Sequence, residues 1–270
     1  MKHILKGYAP TRAGQIHYLH LPGPADAAPL IFFHRMPATS SSFVSMMQAM
    51  AGDRPLYAFD LPGFGASFDP EPHDATLPNY AAWMLEATSA VGIARAHVFG
   101  HHTGTHLATE MVAADPGRFL TLMLNGVAYL TEAERLALAA EVRPAPAPDP
   151  DGKYLLEAFT RIKNLYPRFE PHLIHEETIS SLRAHRTRAL TLAAVWAQDF
   201  PAVLRKVRCP ILATTASDDV WRTQFERVFV DRPDAERAVL GAAKFYTPEI
   251  DTALAVKVVR DFISRHPEGR

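Results

Sequence analysis

Short, uniformly apolar runs alternate with helix-patterned segments, and this rhythm limits the fold more than any other feature of the chain. Residues 29–33 read PLIFF, 56–59 read LYAF and 120–124 read LTLML. Each run is too short for a helix, and the first two are too evenly apolar for a strand with one wet face. Between them lie FVSMMQAMAG, NYAAWMLEATSAV (79–91) and residues 105–114, all with helical spacing, and a strand is expected over 97–99. Strands buried on both faces and joined by helices make a mostly parallel sheet with helices on either side. Residues 3–8 and 15–19 flank TRAG and predict an opening hairpin. PILATT (210–215), ERAVL (236–240) and the amphipathic DTALAVKVVRDFISRH resume the pattern at the end.

The rhythm breaks between residues 129 and 200, where every segment has helical spacing: TEAERLALAAEV, KYLLEAFTRIKNLY and HEETISSLRAHRTRALTLAAVWAQ. This stretch is expected to be a helical cap inserted into an α/β core made of residues 1–128 and 201–270. Its PAPAPDPDG segment reads as a linker. With 48% hydrophobic residues in 270, the chain can bury a large core. Twenty-eight basic and 29 acidic residues, without a run of like charge, leave no electrostatic footprint for nucleic acid or an anionic membrane. A small-molecule partner is the expectation. The one cysteine, Cys209, cannot form an internal disulfide, and no apolar stretch approaches a membrane span, so a cytoplasmic location is expected.

Residues 98–106 read VFGHHTGTH, a strand running into a glycine-framed turn and then a helix. Together with the FFHRMP turn, DLPGFGAS, the helical insertion and the late TASDD turn, this order of segments resembles the α/β-hydrolase superfamily over nearly the whole chain. The resemblance implies a G-x-S-x-G elbow that projects a nucleophile, an acid after a later strand and a histidine near the C-terminus. It also implies two backbone N–H donors forming an oxyanion hole.

Three positions depart from that pattern. Gly100 and Gly104 supply the outer glycines, which places His102 where the serine would be. In GAAKFYTPE, Lys244 stands at the position of the histidine, and no histidine lies between His185 and His266. The acid position falls on Asp219, with Asp218 as its neighbour. At the oxyanion loop the chain has His34-Arg35-Met36-Pro37, so Met36 N–H and Thr103 N–H are the implied donors. Arg35 is then a cation at the pocket mouth, available either to a substrate carboxylate or to a carboxylate of the cap. His34 is expected as a hydrogen-bonding core residue beneath the elbow, and His101 as pointing away from the pocket.

Imidazole changes what an elbow can do. A serine hydroxyl needs a base, whereas a histidine with a pKa near ~6.5 keeps a free lone pair at neutral pH. The expected site is therefore His102 with Asp219 and Lys244, and with His34, Arg35, Met36 and Thr103 against the substrate. Lys244 reads either as the ion-pair partner of Asp219 or as a positive charge for an anionic intermediate. His102 could serve as nucleophile or general base in hydrolysis of a small ester, lactone or thioester, the substrate being anionic if Arg35 meets it. The same base could run an elimination, isomerisation or decarboxylation. A protein that keeps the pocket for binding alone is the non-enzymatic alternative. His102 and His106 are one helical turn apart, but no carboxylate or cysteine joins them at ligand spacing, so neither metal nor cofactor is expected.

Overall fold

The computed structural model describes residues 3–145 and 147–267. Eight strands form a single sheet: β1 (Leu5–Pro10), β2 (Gln15–Leu21), β3 (Leu30–Phe33), β4 (Leu56–Phe59), β5 (Ala96–His101), β6 (Phe119–Asn125), β7 (Ile211–Ala216) and β8 (Glu236–Leu240). Their order across the sheet is β1-β2-β4-β3-β5-β6-β7-β8. β1 and β2 pair antiparallel, as does β2 with β4, and every other pair is parallel. The opening hairpin is thus an antiparallel edge on a parallel sheet.

Twelve α-helices occur among the described residues. The core helices are α1 (Val44–Ala49), α2 (Leu77–Ala90) and α3 (Thr103–Ala114). Inserted between β6 and β7 come α4 (Glu132–Ala140), α5 (Lys153–Leu165), α6 (Pro171–Arg183), α7 (Arg188–Ala197) and α8 (Phe200–Leu204). The chain ends with α9 (Arg222–Phe225), α10 (Val228–Asp231), α11 (Thr247–Ile250) and α12 (Thr252–Arg265). The helix boundary at Phe200 falls inside the expected junction between insertion and core. Of the PAPAPDPDG segment, Pro146 lies outside the described residues.

Strand alternation explains the two-sided core. In β3, Ile31 and Phe33 face one hydrophobic cluster, shared with α2 and α3, while Leu30 and Phe32 face the other, shared with α1 and α12. β6 divides in the same way, with Leu122 and Leu124 on one side and Met123 on the other. Residues alternating between two buried faces favour apolar character along the whole strand, which is why β3 is an unbroken apolar run and β6 departs from one only at Thr121 and Asn125. Local signals set the helix starts: Thr76 Oγ1 accepts from Asn79 N–H at α2, and Thr131 with Glu134 forms a capping box at α4.

Candidate functional site

The elbow is built by close packing. A Cβ on Gly104 would lie 2.1 Å from the Phe33 carbonyl oxygen, and one on Gly100 would lie 2.4 Å from the Gly104 oxygen. Only glycines let α3 approach the ends of β3 and β5 this closely. His102, between them, is forced to φ 46° and ψ −109°, a backbone conformation that L-residues seldom adopt. Its backbone is held there by N–H donation to Asn125 O (2.8 Å), and its carbonyl accepts from Thr105 N–H (2.8 Å) and from the Thr105 hydroxyl (2.6 Å).

His102 Nε2 donates to Asp219 Oδ2 at 2.9 Å, and both side chains are buried. The other carboxylate oxygen of Asp219 accepts from Trp221 N–H at 2.8 Å. With Nε2–H committed to Asp219, the Nδ1 lone pair of His102 is left free, and no described residue bonds to it. Gly126, just after β6, makes room for the pair: a Cβ there would lie 2.3 Å from His102 Nε2 and 2.8 Å from Asp219 Oδ2. Gly126→Ala should push the two apart and strain a backbone at φ +66°. We expect at least an about tenfold loss in any turnover that uses the pair, seen in steady-state kinetics, for about 1 kcal/mol in stability.

Lys244 does not join this pair, contrary to the ion-pair expectation. Both Asp219 oxygens are already taken, and among the described residues the Lys244 ammonium makes no ion pair. The turn explains why. Asp218 Oδ1 accepts the N–H groups of Ala243 (2.9 Å) and Lys244 (2.8 Å), which fixes Lys244 in a left-handed conformation at φ 46°. The next residue takes the place beside the imidazole, Phe245 presenting its ring at 5.3 Å from His102.

At the oxyanion loop, Met36 N–H donates to Thr103 Oγ1 at 3.3 Å. Thr103 is the first residue of α3, so its own N–H has no intrahelical acceptor. His34 is fully buried; Nδ1 donates to Arg35 O (2.8 Å) and Nε2 accepts from Leu61 N–H (2.9 Å). Burial pushes its pKa down to about 4, so it is a neutral strut at pH 7. His101 is buried, lies outside the cavity and is held below the ordinary histidine range, first by burial.

Of the two partners open to Arg35, the structure has the carboxylates. Its Nη1 and Nη2 grip Glu177 of α6 at 2.9 and 2.6 Å, and Nη2 reaches Glu249 of α11 at 3.3 Å. The Tyr246 ring lies 4.3 Å from the guanidinium, and Tyr166 Oη donates to Glu177 Oε2 (2.9 Å). A buried knot therefore ties the insertion to the core. Asp60 of DLPGFGAS is likewise structural: Burial alone would raise its carboxyl, but donors on His17, Ala66 and Ser40 outweigh that and hold it at about 2.

A cavity of about 200 Å³ lies over the elbow, bounded by His102, Thr103, Met36 and His106 from the core and by Trp196, Arg161 and Arg188 from the insertion. His106, one helical turn from His102, faces this cavity. Its Nδ1 donates to Gln198 Oε1 at 2.7 Å, an orientation fixed because Gln198 Nε2 donates to Glu110 Oε2 (2.6 Å). The buried Nε2 consequently carries an unpartnered lone pair, and burial lowers the ring's pKa to about 4. Sequence reasoning missed Glu177, Glu249 and Gln198, whose partners are distant in the chain, and Arg161 and Arg188, which reach the cavity only through the docking of the insertion; a glycine directly after β6, Gly126, was the one legible signal.

A family profile described as "alpha/beta hydrolase fold" matches residues 28–151. An uncharacterized carboxylesterase, nap, of Bacillus subtilis is 31% identical over 97 residues, covering 36% of this chain. That match spans about a third, 32%, of the relative's own length. Among solved structures, E-2-(acetamidomethylene)succinate hydrolase superposes with a TM-score of 0.80 at 19% identity, over 97% of this chain and 100% of the other. Carboxylesterase CesB (YbfK) from Bacillus subtilis superposes with a TM-score of 0.73 at 18% identity, over 97% and 92%. The chain has the α/β-hydrolase fold. By name, two of these three proteins are carboxylesterases and the third is a hydrolase. No helix among the described residues is long and apolar enough to cross a membrane.

Proposed function

We propose that this protein hydrolyses a small ester-like substrate, with His102 as general base, Asp219 as its orienting carboxylate, and residues 129–200 acting as a cap over the site. The observation that carries this reading is the 2.9 Å contact between His102 Nε2 and Asp219 Oδ2 at the elbow, which leaves Nδ1 as a free base beside the cavity. Asp219 fixes the tautomer and stabilises the imidazolium that forms when Nδ1 takes a proton. Nδ1 is flanked by the Cβ-bearing ring carbon, which crowds direct attack on a carbonyl and favours the base role over the nucleophile role.

The proton inventory is simple. Water adds to the carbonyl carbon while Nδ1 takes one of its protons. Thr103 N–H, with Met36 N–H if it turns from the Thr103 hydroxyl, stabilises the oxyanion. Collapse breaks the bond to the leaving oxygen, which receives the proton back from the imidazolium. His34 serves as a support of the oxyanion loop, and Lys244 is outside this scheme.

The test is hydrolysis of 4-nitrophenyl acetate by the wild type and by Asp219→Asn. An amide that donates to Nε2 would move the proton to Nδ1 and abolish the base, so a fall of at least about tenfold in kcat is expected. Equal rates would sink the reading. If the ester is untouched while the protein exchanges the α-proton of a small ketone with solvent deuterium, the base belongs to carbon-acid chemistry instead.

A further inference from the structure

The cavity contains positive charge that the protein itself does not neutralise. Arg35 is compensated by Glu177 and Glu249, and Arg183, Arg205 and Arg227 elsewhere each meet a carboxylate. Arg161 and Arg188 differ. They come from α5 and from the first turn of α7, and both line the cavity over His102. Among the described residues neither makes an ion pair. Within that same set the Arg161 side chain hydrogen-bonds to the Ser181 hydroxyl alone (2.6 Å), and the Arg188 guanidinium hydrogen-bonds to none of the described residues, its Nε being buried without an acceptor.

Burial, and then repulsion from Arg161, lower the Arg188 pKa. Arg161 is exposed and Arg188 half-buried, so the repulsion is felt mainly at Arg188, and a carboxylate bound between the two would relieve it. Neither Nη group of Arg188 hydrogen-bonds to a described residue, so the end of its guanidinium can take a carboxylate through two parallel hydrogen bonds. Size narrows the ligand further. A cavity of roughly 150 Å³ takes benzene, so one of about 200 Å³ suits a molecule only slightly larger.

We propose that Arg161 and Arg188 form a carboxylate-binding subsite, and that the substrate is a small anionic ester, such as the half-ester of a short dicarboxylic acid. Arg35, the residue the sequence offered for this task, is occupied elsewhere. The same two arginines also border a second cavity of about 670 Å³, within the insertion, that includes Tyr154, Leu155 and His185. An anion held between them therefore sits in the wall common to both spaces. The ester part of the proposal rests on the hydrolytic reading, whereas binding of the carboxylate does not.

Titration calorimetry with succinate, dimethyl succinate and inorganic phosphate tests the subsite without turnover. Wild-type protein should bind succinate at least tenfold more tightly than either alternative, and Arg161→Gln and Arg188→Gln should each weaken succinate at least tenfold. Arg188→Lys, which keeps the charge and loses the fork, should recover only part of that loss. Equal binding of dimethyl succinate, tighter binding of phosphate, or succinate affinity unchanged in both glutamine variants would overturn the proposal. In a pH-stat, the ratio of kcat/KM for monomethyl succinate over dimethyl succinate should fall at least tenfold in Arg188→Gln, and an unchanged ratio counts against the subsite. Arginine-dependent succinate binding with neither ester hydrolysed would keep the carboxylate site and remove the hydrolytic reading.

Discussion

In the His102→Ala protein, turnover of 4-nitrophenyl acetate should fall by about 10²–10⁴-fold, the contribution expected of a positioned general base. The side chain is buried and among the described residues hydrogen-bonds only to Asp219, with the Phe245 ring beside it, so its removal leaves a carboxylate without its donor but takes no member from the two large core clusters. A normal circular dichroism spectrum is expected, which separates loss of the base from loss of the fold. Two further measurements sharpen the result. Free imidazole added to His102→Ala should restore part of the rate, because the truncated side chain opens space beside Asp219 and Thr103. Asp219→Asn in the His102→Ala background should cost almost nothing more, since the carboxylate acts through the imidazole; full additivity would mean that Asp219 has an independent role. A rate unchanged in His102→Ala would remove the imidazole from the chemistry altogether.

How far such a site can be read from sequence depends on whether its geometry is local. The parallel strands were legible because burial on both faces favours an apolar residue at nearly every position, as throughout β3 and at all but Thr121 and Asn125 of β6. The places of His102 and Asp219 were legible for a related reason: Gly100 and Gly104 define a turn whose central residue must project, and Asp219 follows β7 at short range. Lys244 was not, because Asp218 captures two backbone N–H groups and turns the loop so that Phe245 meets the imidazole. The cavity wall was least legible. Arg161, Glu177 and Arg188 sit on helices that look like ordinary amphipathic surface in sequence, and only the docking of the insertion decides that Glu177 is buried on Arg35 while Arg188 finds no partner. The role of His106 likewise depends on Gln198, 92 positions away.

That docking contact should also dominate stability. Arg35→Met leaves Glu177 buried without its cation, and losing one member of a buried pair costs about 3–5 kcal/mol. The urea midpoint should drop sharply, and the double substitution Arg35→Met with Glu177→Leu should recover most of the loss by removing the stranded charge as well. A midpoint unchanged in Arg35→Met would mean that the insertion is held by other contacts. Glu249 gives the same knot a pH dependence. Burial pushes its carboxyl up to about 7; Arg35 works against that shift and Glu177 adds to it. Below the ordinary value of 4.5 the group is protonated whether the chain is folded or unfolded. As pH rises from there towards 7 the unfolded chain ionises first, so the contribution of Glu249 to stability falls across that window and is lowest above it. Glu249→Gln removes the penalty. It should raise the urea midpoint at about pH 8, leave it nearly unchanged near pH 4.5, and flatten the decline between them. Should the Glu249→Gln and wild-type curves run parallel from pH 4.5 to 8, the carboxyl is not the group that titrates.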